Sequence, residues 1–190
     1  MILAGDLRKG SKILFKNEPY VVADFQLVKP GKGGTYMRTK LKNLISGLMH
    51  EETFRSDEKL ATPNLEYRNV MYVYKEGDSY QFLDQESYEQ IELTAKQLGD
   101  VVNFLKEQTI YTILYFDDRP IEVNPPLFME LKVVSAPPGV RGDTAQGAVT
   151  KPAILETGLT LNVPLFVDEG SIIKVDTRDA KYVERIDKKR

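Results

Sequence analysis

Cysteine is missing from all 190 residues, and His50 is the only histidine. The first absence excludes disulfides, thiolate metal sites and cysteine nucleophiles. The second excludes a histidine-built metal site and leaves a Ser-His-Asp arrangement only His50 to use. Long apolar runs are also missing, since no stretch approaches the ~18 residues that a membrane-spanning helix needs. The opening Met1-Ile2-Leu3-Ala4-Gly5-Asp6 has neither a basic region nor an apolar core, so no signal peptide is expected. Hydrophobic content of 42% and charged content of 28% are ordinary for a soluble globular protein. A cytoplasmic protein with no cofactor and no metal is the expectation.

Strand signals dominate what is present. Ile13–Phe15, Tyr20–Val28, Tyr36–Leu44 and Leu48–Phe54 are separated by turn-type residues such as Lys16-Asn17-Glu18-Pro19 and Ser46-Gly47, the spacing of a small barrel or sandwich. Arg55–Asn64 is polar, carries Pro63 and reads as a linker. Further strands are expected at Val70–Tyr74, Tyr80–Leu83, Thr109–Phe116 and Ile121–Val123. Between them Leu98, Val101, Val102 and Leu105 form the stripe of one short amphipathic helix, with Thr94 as its cap. After Pro125-Pro126 the theme repeats, with Met129–Val134, Ala153–Thr157, Thr160–Val167, Ile172–Asp176 and Tyr182–Ile186. Five strands in such a stretch fit a small Greek-key barrel of the OB type. An all-β protein of three small domains is expected, over 1–64, 65–126 and 127–190.

The net charge of -2 is unevenly spread. Residues 1–64 hold 11 basic against 7 acidic side chains, residues 65–126 hold 5 against 12, and residues 127–190 hold 10 against 9. The basic ends suit an anionic partner, and the acidic middle would keep phosphate away. The basic character concentrates in one hairpin. Tyr36–Asn43 alternates, with Met37, Thr39 and Leu41 on one face and Arg38, Lys40 and Lys42 on the other. It is joined to the preceding strand by Lys29-Pro30-Gly31-Lys32-Gly33-Gly34, and no acid occurs between Gln26 and Gly47. An ordinary solvated loop could share this composition. Five cations on one glycine-tipped hairpin, with Lys32 alone at its tip, point instead to a polyanion.

Catalytic constellations are scarce. Glu51-Glu52, Asp117-Asp118 and Asp168-Glu169 lie on strands or turns with diverging side chains and read as solvated surface. The Gly31–Gly34 stretch lacks the full phosphate-loop pattern and no helix follows it. His50, next to Glu51, reads as a surface histidine. Tyr72, Tyr74, Tyr111 and Tyr115 could stack on bases, although alternating tyrosines in strands more commonly pack. Residues 137–147 form a long loop whose backbone amides and Arg141 could meet phosphate or base edges.

Taken together, Lys29-Pro30-Gly31-Lys32-Gly33 with Arg38-Thr39-Lys40, Gly142-Asp143-Thr144-Ala145-Gln146-Gly147, Leu155-Glu156-Thr157-Gly158, Val163-Pro164-Leu165-Phe166 and the Tyr182-Val183-x-Arg185 pattern closely resemble bacterial translation elongation factor P. The resemblance covers the whole chain. It implies an L-shaped, tRNA-like arrangement of a KOW/SH3-like barrel followed by two OB domains. It also implies a monomeric, non-enzymatic factor that binds the 70S ribosome between the P and E sites beside peptidyl-tRNA and relieves stalling at consecutive prolines. Lys32 would be the functional tip, extended toward the peptidyl-transferase centre by a lysine-modifying enzyme, and framed by Lys29, Pro30, Gly31, Gly33 and Gly34. Ribosomal and transfer RNA would be met by Arg38, Lys40 and Lys42, by Arg141, Gly142, Asp143, Thr144, Gln146 and Gly147, and by Tyr182 and Arg185. The alternatives are a paralogue of that family without polyproline rescue, a free-standing OB-type RNA binder, which the acidic middle disfavours, and a nucleotide-using transferase.

Overall fold

The computed structural model describes residues 1–31, 33–138 and 149–186. Regular structure among the described residues is almost wholly β-strand. In the N-terminal part, β1 (Ile2–Leu3), β2 (Lys12–Phe15), β3 (Glu18–Val28), β4 (Tyr36–Asn43), β5 (Met49–Arg55) and β6 (Lys59–Leu60) make a four-stranded sheet ordered β2-β3-β4-β5 and a β1-β6 pair. Their core is Ala4, Leu7, Ile13, Val22, Leu41, Phe54 and Leu60. Lys16 and Asn17, with φ of 51° and 63°, turn β2 back into β3. Two consecutive left-handed residues are the hairpin turn whose twist matches that of the flanking strands.

Arg55–Asn64 is not simply a linker. Lys59–Leu60 pairs with Ile2–Leu3, and Ala4 N–H donates to the Glu58 carbonyl at 2.9 Å. Leu60 enters the core as the single apolar residue of a charged run, too sparse to register as periodicity.

The next five strands are β7 (Leu65–Glu76), β8 (Ser79–Asp84), β9 (Gln90–Thr94), β10 (Ile110–Phe116) and β11 (Arg119–Asn124). The last five are β12 (Phe128–Ser135), β13 (Thr150–Leu155), β14 (Thr160–Pro164), β15 (Ile172–Asp176) and β16 (Lys181–Ile186). Numbered within each set, both sheets follow the order third, second, first, fourth, fifth. A shared Greek-key order of five strands is the OB plan twice over. Contacts gather the chain into two compact units, Met1–Arg68 with Ile113–Glu122, and Asn69–Thr112 with Val123–Arg190. Among the described residues no helix is long and apolar enough to cross a membrane.

The expected amphipathic helix is shorter and of mixed type. Thr94 does cap it: its hydroxyl accepts the Gln97 N–H at 3.4 Å, and Gln97 Oε1 accepts the Thr94 N–H at 3.0 Å. Only Ala95–Leu98 is α-helical (α1), because Gly99 at φ 55° leaves the helical region and a 3-10 segment, Gly99–Phe104, follows. Leu98 is buried as the stripe predicts, whereas Val101, Val102 and Leu105 are only partly covered. Phe104, outside the stripe, packs with Met129, Leu131 and Val133.

A buried tyrosine ties this segment to the sheet. Tyr111 is fully buried, donates its hydroxyl to the Phe104 carbonyl at 2.8 Å, and accepts the Lys106 N–H at 2.9 Å. Burial pushes its pKa up to about 12. The folded state therefore holds this proton more tightly than the unfolded chain, whose tyrosine titrates near about 10. Its contribution is intact below pH ~10 and is lost as pH rises toward ~12. Tyr111→Phe should lower stability by about 1–3 kcal/mol, since it leaves a buried carbonyl and amide without their partner. It should also flatten the alkaline decline in urea midpoint over that window, which chemical denaturation of both proteins at stepped pH would measure.

Candidate nucleic-acid interface

The long β3–β4 hairpin closes with Leu27 opposite Met37 and Val28 opposite Tyr36. Strand β4 alternates without exception from Met37 onward. Met37, Thr39, Leu41 and Asn43 are buried, while Arg38, Lys40 and Lys42 are exposed. The buried hydroxyl of Thr39 is satisfied by donating to the Glu52 carbonyl on β5 at 2.9 Å. Packing on one face thus determines where the cations point.

The three cations are not equivalent, which only the cross-strand register reveals. Lys40 lies between Asp24 on β3 and Glu51 on β5, and its Nζ is 3.9 Å from Glu51. Arg38 has Gln26 and Thr53 as neighbours, and Lys42 has Val21 and Met49. The sequence interval without acids is real, but acids on the adjoining strands partly offset the middle charge. A depression of about 70 Å³ opens on this face between Arg38 and Glu51, far below the ~300 Å³ of small-molecule sites. This surface suits contact with an extended polyanion rather than enclosure of a small ligand.

Beyond β3, Lys29, Pro30, Gly31, Gly33 and Gly34 are all exposed. Gly33 has φ of 113°, a conformation that side-chain-bearing residues rarely adopt. Lys32 lies outside the described residues, as do Arg141, Gly142, Asp143, Thr144, Gln146 and Gly147.

In the C-terminal barrel, Tyr182 and Arg185 would face opposite sides of a regular strand, being three residues apart. A bulge between the Lys174–Glu184 and Val175–Tyr182 pairs makes Val183 the extra residue. Tyr182 then sits opposite buried Val175, and Arg185 opposite buried Ile173, so both belong to the same face. Tyr182 packs half-buried against the core, and Arg185 emerges exposed, with its guanidinium 5.5 Å over the Phe166 ring.

Several residues read differently in three dimensions. His50 shares a face with Glu52 rather than Glu51; it is half-buried, 5.5 Å from the Phe15 ring and 3.3 Å from Glu52 Oε2. Asp168 pairs at 3.2 Å with Lys151, a lysine only 5% exposed that the sequence did not single out. Tyr72, Tyr111 and Tyr115 are buried, leaving Tyr74 as the one exposed member of that set. Arg68 is engaged by Glu66 at 2.8 Å and Asp118 at 3.3 Å, and the hydrogen bonds it donates to the Glu66 carboxylate raise its pKa further. Hydrogen bonds from Arg178 likewise hold the Asp176 carboxyl below the usual range. Arginines committed in this way have less to offer phosphate than Arg38.

Comparison with known proteins covers nearly the whole chain. Family models match residues 3–60 (elongation factor P KOW-like domain), 65–123 (elongation factor P OB domain) and 129–185 (elongation factor P, C-terminal). The chain is 48% identical over 186 residues to an elongation factor P of Alkaliphilus metalliredigens, spanning 98% of this chain and 100% of that protein. It is 45% identical over 186 residues to that of Carboxydothermus hydrogenoformans, with the same coverage of 98% and 100%. Among solved structures, a translation initiation factor 5A from Methanococcus jannaschii superposes with a TM-score of 0.56 at 20% identity, over 65% of this chain and 91% of that one. At that identity the likeness concerns the fold.

The unequal cations generate an ordering. On a heparin column at neutral pH, Arg38→Ala and Lys42→Ala should elute at lower salt than Lys40→Ala, and Glu51→Gln should elute later than the unmodified protein. Equal shifts for all three alanine variants would contradict the cross-strand offset at Lys40.

Proposed function

The chain belongs to the elongation factor P family of translation factors, and on that premise we propose that it binds the 70S ribosome between the P and E sites, beside peptidyl-tRNA, and relieves stalling at consecutive prolines. The observation that carries this reading is the β3–β4 hairpin, a strand pair whose solvent face bears Arg38, Lys40 and Lys42 and whose connecting sequence has Lys32 between glycines. Three modules, 1–64, 65–126 and 127–190, serve as the working division of labour.

Each part has a physical task. Arg38 and Lys42, with Lys40 in a lesser share, meet the RNA backbone and supply affinity that does not depend on base sequence. Arg141, Gly142, Asp143, Thr144, Gln146 and Gly147 provide backbone amides and polar groups for a second RNA contact, and Tyr182 with Arg185 a third. Lys29, Pro30, Gly31, Gly33 and Gly34 bring the Lys32 amine close to the reacting ends without side chains of their own in the way. A lysine-modifying enzyme acting on Lys32 would lengthen that reach. Proline reacts poorly because its ring restricts the geometry of attack. A factor that holds two reacting ends in alignment lowers the barrier by removing orientational freedom, a contribution that in well-aligned systems reaches about 7–11 kcal/mol. This requires no acid, base or metal from the protein. The action is that of a monomer in the cytoplasm, and peptide-bond chemistry stays with the ribosome.

Lys32→Ala should leave the urea midpoint unchanged and retain most ribosome affinity, yet abolish synthesis through a run of prolines. Translation of paired reporters with and without a Pro-Pro-Pro insert, with this variant as the only such factor, measures it. Full activity on the proline reporter would refute the role given to Lys32. Loss of ribosome binding in the same variant would move Lys32 from positioning to affinity.

A further inference from the structure

Exposed aliphatic side chains are ordinary when scattered and informative when gathered. The turn joining β4 to β5 gathers three within five positions: Ile45 is 51% exposed, Leu48 72% and Met49 56%. The turn is firmly held. Asn43, itself buried, accepts the Ile45 and Ser46 N–H groups on its side-chain oxygen at 2.8 and 2.9 Å, and the Gly47 N–H on its carbonyl at 2.9 Å. Its own N–H donates to the Leu48 carbonyl at 2.9 Å, its side-chain amide donates to Glu18, and the Leu44 N–H donates to the Pro19 carbonyl at 2.9 Å. Gly47, with φ of 74°, completes the reversal. A turn bonded at this many points keeps one shape, so its aliphatic side chains are presented to solvent by design of the backbone.

Cross-strand register says what stands beside them. Met49 is opposite Lys42, and so lies on the face that also carries Arg38 and Lys40. Leu48, bonded to Asn43, lies on the other face, beyond the end of the apolar core. The tip is thus aliphatic on both sides and continuous with a cationic strand on one of them. Glu18, the carboxylate at this end of β3, is taken up by the Asn43 amide. A partner for such a tip must offer negative charge next to apolar surface. RNA with an opened base step does so: it has phosphates for Lys42, and base faces freed from stacking for the aliphatic side chains. A regular duplex keeps those faces stacked and offers the phosphates alone.

We propose that the β4–β5 turn is an apolar wedge that enters an opened base step of RNA, with Leu48 and Met49 covering the base faces exposed there and Lys42 meeting the adjoining phosphate. The proposal rests on the reading of the cationic face of β4 as an RNA contact. It extends that contact from the strand to the turn that ends it, and adds an uncharged component to it.

Equilibrium binding of the full chain to purified 70S ribosomes carrying initiator tRNA in the P site, at several salt concentrations, separates the two components. Leu48→Ala combined with Met49→Ala should weaken binding about ten-fold through lost burial of aliphatic surface, with the salt dependence unchanged. Lys42→Ala should weaken binding and make it less dependent on salt. Leu48→Met combined with Met49→Leu, which keeps the aliphatic bulk, should bind as the unmodified protein does. A benzophenone amino acid in place of Leu48 should crosslink to RNA in the same complex. Crosslinking to ribosomal protein alone, or full affinity in the alanine pair while Lys42→Ala weakens binding, would overturn the wedge. So would a fall in thermal midpoint for the alanine pair that accounts for its binding loss. If Arg38→Ala and Lys42→Ala both leave affinity and salt dependence untouched, the reading of β4 as an RNA contact fails first, and the wedge fails with it.

Discussion

Register along β4 is the constraint on which the rest depends. Met37 and Leu41 must face the interior, and pairing with β3 and β5 sets every other residue of the strand accordingly. A slip of one position would bury Arg38, Lys40 and Lys42 and expose the apolar set. Burying such a charge without a partner costs several kcal/mol, a large share of a typical domain's margin of stability. Hydrophobic packing on one side of a sheet therefore acts as the aiming device for the charge on its other side. The same packing fixes where the strand begins, and hence where the glycine-rich turn leaves the sheet.

Much of the fold is legible in the sequence because strands with one buried face announce themselves by alternation, as Tyr36–Asn43 does at every position from Met37 onward. Hairpin turns were equally visible where polar pairs such as Lys16-Asn17 and Asp117-Asp118 adopt left-handed conformations. Three things were hidden for physical reasons. Strand β6 is two residues long and offers too little sequence for a period to emerge. The helix was overextended because Gly99, tolerable within a helical stripe, instead ends it by adopting a positive φ. Phe104 escaped notice because 3-10 geometry places successive buried residues at a different angle from the α-helical spacing assumed.

The functional residues divide along the same line. A linear reading can find cations and count acids within an interval, but it cannot see which residues stand across the sheet. Asp24 and Glu51, 16 and 11 positions from Lys40 in the chain, are its immediate neighbours in space. Lys151 was invisible for a related reason: its partner Asp168, an exposed carboxylate, meets it only because the barrel brings the two within 3.2 Å. The family motif around Glu156 also gains a structural meaning. Its carboxylate accepts the Lys132 N–H at 2.9 Å and pairs with Lys106 at 3.0 Å, so that glutamate links the segment after the 3-10 turn to the C-terminal barrel.

The extra residue in β16 has a consequence for how related chains can be compared. In a regular strand, two side chains on one face are separated by an even number of positions, whereas here Tyr182 and Arg185 share a face at an odd separation because Val183 absorbs the difference. Parity between those two residues is therefore a one-dimensional signature of a three-dimensional irregularity. A related protein that keeps the odd interval must keep the kink as well, and one that shows an even interval must have straightened its final strand.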